Sequence, residues 1–191
     1  LHSFPTRRSS DLSFMELFNE YYGGSMASIV FQEMRESRGL AYNAYAGYYE
    51  PSYKGDRELA LVHHITQNDK MMDAVNHFLQ IIDTIPQSEA SFKISKDAVQ
   101  KRIASQRTTK YGLITKWLWA KQRGIDYDEN ERIYQALPGT SLEDIVKVET
   151  ARMAHKTWRY VILGNERDLN IKTLEQIAPI RRLSTEEIFG Y

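Results

Sequence analysis

The chain has 191 residues, enough for one domain with a real core, burying about 70% of the surface its unfolded form would expose. Its 42% hydrophobic, 26% charged and 12% aromatic composition is that of a folded globular protein, and it contains no cysteine, which excludes disulfides, thiolate zinc sites and cysteine nucleophiles. Lys plus Arg balance Asp plus Glu at 25 each, with signs alternating along the chain, which argues against a nucleic-acid or anionic-membrane partner; no run of ~18 apolar residues offers a membrane span.

Leu1 to Leu12, "LHSFPTRRSSDL", has neither helical nor strand periodicity. The stretch resembles, residue for residue, the translation of a widely used DNA-sequencing adapter, so residues 1–12 are expected to be a non-native arm and residues 13–191 the domain. Leaving out Arg7, Arg8 and Asp11 gives 23 basic and 24 acidic residues, which keeps the charge balanced.

From Phe14 to Tyr22 the apolar residues Phe14, Leu17, Phe18, Tyr21 and Tyr22 recur at amphipathic-helix spacing, and Gly23 with Gly24 stops the helix. Ser25 is the expected cap of a second helix, with Ile29, Val30 and Met34 as its apolar stripe and Gln32, Glu33 and Glu36 facing solvent. Gly39 fits the left-handed position after the last turn.

"LAYNAYAGYYE", Leu40 to Glu50, reads as a strand, the turn "PSYKGD" follows, and "ELALVHHIT", Glu58 to Thr66, reads as its antiparallel partner. Since a lone hairpin is marginal, further strands are expected beside it.

Helices are expected at Lys70 to Thr84, with Met71, Val75, Phe78 and Ile82 inward, at Ser88 to about Thr108, and at Leu113 to Arg123, with Ile114, Trp117 and Leu118 inward and Gly124 closing it. Asp128 with Glu131, and Ser141 with Glu143 and Asp144, are capping signals for two more, separated by "LPGT". A final strand, Trp158 to Gly164, then leads into a helix from about Asp168 to Ile177. The order predicts an α+β fold, helices covering one face of a mainly antiparallel sheet.

Most chemistry-bearing residues have an ordinary reading. His63 and His64 are neighbours on a strand, so they point to opposite faces. His77 and His155 stand alone in helical segments, and no H-E-x-x-H or H-x-x-E-H spacing occurs. "YYGGSM" follows a helix and lacks the Lys-Ser/Thr ending of a phosphate loop, so it is a turn. Trp117 and Trp119 lie among apolar neighbours at helical spacing and are expected in the core.

There remain Arg35 and Tyr42, seven positions apart across Gly39. A cation near a helix C-terminus is favoured by the helix dipole whatever the function. A guanidinium and a phenol on rigid elements can also address a peptide, the fork binding a carbonyl and the hydroxyl donating to an oxygen gaining charge. The residues alone leave both roles open.

"LFNEYYGGSMASIVFQEMRESRGLAYNAYAGYY" resembles the opening of a non-zinc domain of the pitrilysin and insulinase family of metallopeptidases, and "LEDIVKVE", "WRYVILGN" and "LSTEEIFGY" resemble its end in long bacterial members. The resemblance implies a LuxS/MPP-like metallopeptidase fold and a role as one half of an endopeptidase: a homologous domain, absent here, binds zinc through H-x-x-E-H and carries the glutamate base, while this half binds no metal. It implies that Arg35 orients the peptide substrate and that Tyr42 stabilises the oxyanion, whereas Arg38 falls on a variable position. A catalytically inactive peptide-binding or assembly subunit of the same family is the alternative. The domain's first strand, expected just before Ser13, is then missing, and the chain expressed alone is expected to be poorly soluble or oligomeric.

Overall fold

The computed structural model describes residues 11–190, with side chains from Phe14 onward. The reading of Leu1 to Leu12 as a non-native arm therefore lies outside the described residues, except that the backbone of Asp11 and Leu12 opens the first helix.

The helix α1 (Asp11–Tyr22) is the hub, in contact with α4 (Glu89–Ser105), α6 (Glu129–Ala136), α7 (Leu142–Arg152), the strand β1 (Asn43–Tyr49) and the short helix α2 (Ile29–Phe31). Leu17, Phe18, Tyr21 and Tyr22 are all fully buried on it, and the Phe18 and Tyr22 rings stack at 5.1 Å. Such aromatic payloads bury well only if their polar tips are satisfied. The Tyr21 hydroxyl donates to the Pro86 carbonyl at 2.9 Å and accepts from the Ser88 amide at 3.0 Å, while the Tyr22 hydroxyl donates to the Ile81 carbonyl at 3.3 Å.

Gly23 ends α1 for a reason beyond helix stopping. A Cβ there would lie 2.3 Å from the backbone of Ala46, so only glycine lets the helix end meet the strand. One turn earlier the Asn19 side-chain amide donates to the Tyr48 carbonyl at 2.9 Å and accepts from the Tyr48 amide at 2.7 Å. A side chain thus takes the place of a strand neighbour at that point of the edge of β1.

β1 pairs antiparallel with β2 (Leu59–Ile65), Asn43 opposite Ile65 and Tyr49 opposite Leu59. Ala44, Ala46 and Tyr48 are buried toward the helices, among them α3 (Met71–Asp83), whose Phe78 ring stacks on His64 at 5.7 Å. The opposite face carries Tyr45 stacked on His63 at 4.7 Å, and Gly47 leaves room for the Tyr49 ring. The fold is α+β, with helices dominant.

Further strands do not join this pair among the described residues. Trp158 to Gly164, expected as a strand, runs without regular structure, with Val161 and Leu163 fully in solvent; a strand needs a neighbour's ladder, and none lies beside it.

Capping signals read well where the side chain is local. Asp128 accepts from the Asn130 amide at 2.9 Å to start α6, and Ser141 forms a reciprocal capping box with Asp144 to start α7. The cap of α2 (Ile29–Phe31) is a correction: Ser28, not Ser25, occupies it, and Ser25 instead reaches the Glu20 carbonyl at 3.4 Å. Between α4 and α6 runs α5 (Lys110–Arg123), and α8 (Ile171–Glu175) and α9 (Thr185–Phe189) follow α7.

Candidate functional site

Arg35 and Tyr42 flank the junction between α2 and β1. The short helix does not end as an α-helix: from Gln32 to Ser37 it widens into a π-helical turn, a form rarely stable without a local reason and often found at functional sites. Met34 is fully buried, and its carbonyl accepts from the amides of Leu40 at 2.8 Å and Ala41 at 3.1 Å. Gly39, at φ +56°, makes the reversal, its amide donating to the Arg35 carbonyl at 3.1 Å.

The far side of the turn is tied to β2. The Tyr42 amide donates to the Ile65 carbonyl at 2.8 Å, and the Thr66 hydroxyl donates to the Leu40 carbonyl at 2.6 Å. Both residues therefore stand on backbone fixed by hydrogen bonds.

Their side chains meet. The Arg35 guanidinium lies 5.7 Å from the centre of the Tyr42 ring and 4.9 Å from that of Phe31, with its Nε 3.6 Å from the Glu36 carboxylate. A bend at Tyr42, just before β1 begins, turns this side chain outward, and it is 78% exposed. Arg38 points elsewhere, toward Glu33 at 3.9 Å, so the two arginines of "RESR" do not share a site.

The histidines separate as their strand positions require. His63 and His64 stack on different rings on opposite faces, and burial, with His63 close by, pushes the His64 imidazole below its usual range. His77 is buried with Nε2 3.4 Å from Glu33. His155, expected within a helix, lies past the end of α7 at φ +55°, its amide donating to Asp83 at 2.7 Å. Among the described residues no three His, Asp or Glu side chains gather where a metal ion could be held, so they do not fit a zinc site.

Two polar features had no sequence reading. Tyr48, Glu58 and Arg152 form a cluster joining β1, the start of β2 and α7: the Tyr48 hydroxyl donates to Glu58, and Arg152 donates to both, at 2.9 and 2.7 Å. Burial and the Glu58 carboxylate raise the Tyr48 phenol to about 12. The other is Glu149, buried on α7 with Oε1 unpaired, its carboxyl raised to about 7 by burial and further by Asp83. Its signal was legible in hindsight, since Leu142, Ile145 and Glu149 form one buried stripe at i, i+3, i+7.

The comparisons agree with this architecture. The profile of the family described as "Peptidase M16 inactive domain" matches residues 3–100. The chain belongs to the peptidase M16 inactive-domain family.

Among solved structures, a peptidase M16 inactive domain from Pseudomonas fluorescens aligns with a TM-score of 0.60 at 14% identity, covering 74% of this chain and 34% of that one. A protease from Helicobacter pylori aligns at 0.54 and 12% identity, covering 76% and 35%. A predicted insulinase family protease from Yersinia pestis aligns at 0.52 and 17%, covering 88% and 37%. At such identities the likeness is one of fold, and the chain spans about a third of the length of these structures. No curated protein matches the chain.

Proposed function

We propose that this chain, through residues 13–191, is the non-zinc half of a zinc-dependent endopeptidase, lending substrate-orienting and oxyanion-stabilising groups to a site completed by a homologous zinc-bearing domain. The observation that supports this reading is the Arg35 and Tyr42 pair, brought together on hydrogen-bonded backbone at a π-turn and open to a ligand.

In this reading the Arg35 fork donates to a backbone carbonyl of the bound peptide and fixes its register. The Tyr42 hydroxyl donates to the scissile carbonyl oxygen as that oxygen gains negative charge, and its hydrogen bond is stronger in the transition state than in the ground state. Zinc in the partner domain would supply the activated water.

The two roles predict different kinetics in an enzyme assembled from this chain and a zinc-bearing M16 domain. Arg35→Ala should raise KM by roughly 10-fold or more through lost peptide orientation. An unchanged KM and kcat in that variant would leave Arg35 as a packing residue only.

A second reading has a specific observation behind it. The guanidinium lies over the ring face of Tyr42, a stack that also serves a module gripping peptides or a partner without cutting them. Peptide binding by the assembled pair with no cleavage of any peptide offered would favour that reading.

A further inference from the structure

One side of helix α5 is held to the rest of the chain by polar contacts rather than by apolar packing. Arg123 pairs with Glu50 at 3.1 Å and with Glu129, Lys116 donates to Gln106 at 3.4 Å, and the Gln122 carbonyl accepts from the Lys54 amide at 2.9 Å. The helix is seated by polar contacts, and no residue of it is buried.

Its apolar side faces out. Leu113 with Ile114, then Trp117 with Leu118, follow one another at i, i+1, i+4 and i+5, and Ile114 and Trp117 are 60% and 57% exposed. Lys110 precedes this patch and Lys121 follows it on the same side, the Lys121 ammonium lying 5.0 Å from the centre of the Trp117 ring. Tyr111 and Trp119 are exposed as well.

The charge is equally local. Residues 98–125 hold seven lysines and arginines and no Asp or Glu, although the whole chain is balanced at 25 each; two of the seven are ion-paired, Arg102 with Glu16 and Arg123 with Glu50 and Glu129. The balance and the alternation of charge that argue against an anionic partner hold for the chain at large and fail over this stretch, where no acid separates the basic residues.

We propose that α5 docks on an anionic lipid surface. Leu113, Ile114, Trp117 and Leu118 would enter the boundary between headgroups and acyl chains, with Lys110 and Lys121 reaching the phosphates. Two features favour lipid over a protein partner. Lysine is depleted from the cores of protein interfaces, whereas at a bilayer boundary its stem lies along apolar surface while the ammonium stays with the headgroups. Trp and Tyr are also the aromatics enriched at that boundary. The 14-residue helix lies on the surface, since a span needs ~20 apolar residues, and among the described residues no helix is long and apolar enough to cross a membrane.

The test is flotation of the chain with vesicles of phosphatidylcholine alone or mixed with phosphatidylglycerol, which separates lipid-bound from self-associated protein, together with tryptophan emission in a Trp158→Phe background that leaves only the α5 tryptophans. Binding to the phosphatidylglycerol vesicles with a blue shift, weakened by salt and reduced at least ~10-fold by either Trp117→Ser/Leu118→Ser or Lys110→Glu/Lys121→Glu, supports the proposal. Circular dichroism of both double variants should match the parent, because the altered side chains are exposed. The proposal is overturned by no binding to anionic vesicles, by binding unaffected by the α5 variants, or by equal binding to both vesicle types. Self-association or nucleic-acid binding through the same residues without lipid binding overturns it equally.

Discussion

Helices α3 and α5 both carry large apolar residues at helical spacing, those of α3 gathered far more sharply on one side, and the fold treats the two oppositely. Met71, Val75, Phe78 and Ile82 of α3 are buried beneath the sheet, while Ile114, Trp117 and Leu118 of α5 face solvent. Periodicity establishes that a helix has an apolar side; it does not say what covers that side. For α3 the cover is already within the chain: Phe78 and Ile82 belong to its core, with the Phe78 ring against His64 of β2. For α5 the chain supplies polar seats only, which leaves the apolar side for something outside it.

The largest expected effect lies on the closed side. Phe78→Ala should lower the unfolding free energy by about 3–5 kcal/mol in urea titration, against less than about 1 kcal/mol for Trp117→Ala. Equal losses would break the contrast, because they would mean that α5 is covered in solution.

A second pair of variants sharpens it at the backbone. Gly23→Ala forces a Cβ into the Ala46 backbone and should cost about 2–3 kcal/mol, whereas Gly139→Ala, with nothing near its Cβ, should stay within about 0.5 kcal/mol. A tolerated Gly23→Ala would show that α1 and β1 do not meet as closely as described.

A smaller effect follows from Glu149 on the closed side. Its folded-state carboxyl is raised to about 7, above the ordinary 4.5, so the folded state holds the proton more tightly. The contribution is fully present below pH ~4.5 and is lost as pH rises through 7. Glu149→Gln should flatten this slope in urea titrations across that range and raise stability at pH 8. A slope that persists in the variant would assign it to another group.

Much of the closed side was legible because its signals are local. Phe14 to Tyr22, the hairpin, the left-handed Gly39 and the caps at Asp128 and Ser141 depend on residues within a few positions of each other. What could not be read depends on distant partners. Trp158 to Gly164 has strand composition but no strand to pair with, and Trp117 has core composition but no core above it. At the candidate site the sequence named Arg35 and Tyr42, and the structure brings their side chains together. The π-turn that carries Arg35 has no reading in the sequence, since its widened pairing follows no spacing rule of side chains.

The account rests most on the Tyr42 hydroxyl, and one measurement addresses it: steady-state peptide cleavage by Tyr42→Phe in the enzyme assembled with a zinc-bearing M16 domain. The removal of a single hydroxyl from an exposed side chain should leave folding and KM nearly unchanged and lower kcat by roughly 10²-fold or more. Turnover equal to that of the unaltered enzyme would contradict the account, leaving Tyr42 as a ring on which Arg35 packs.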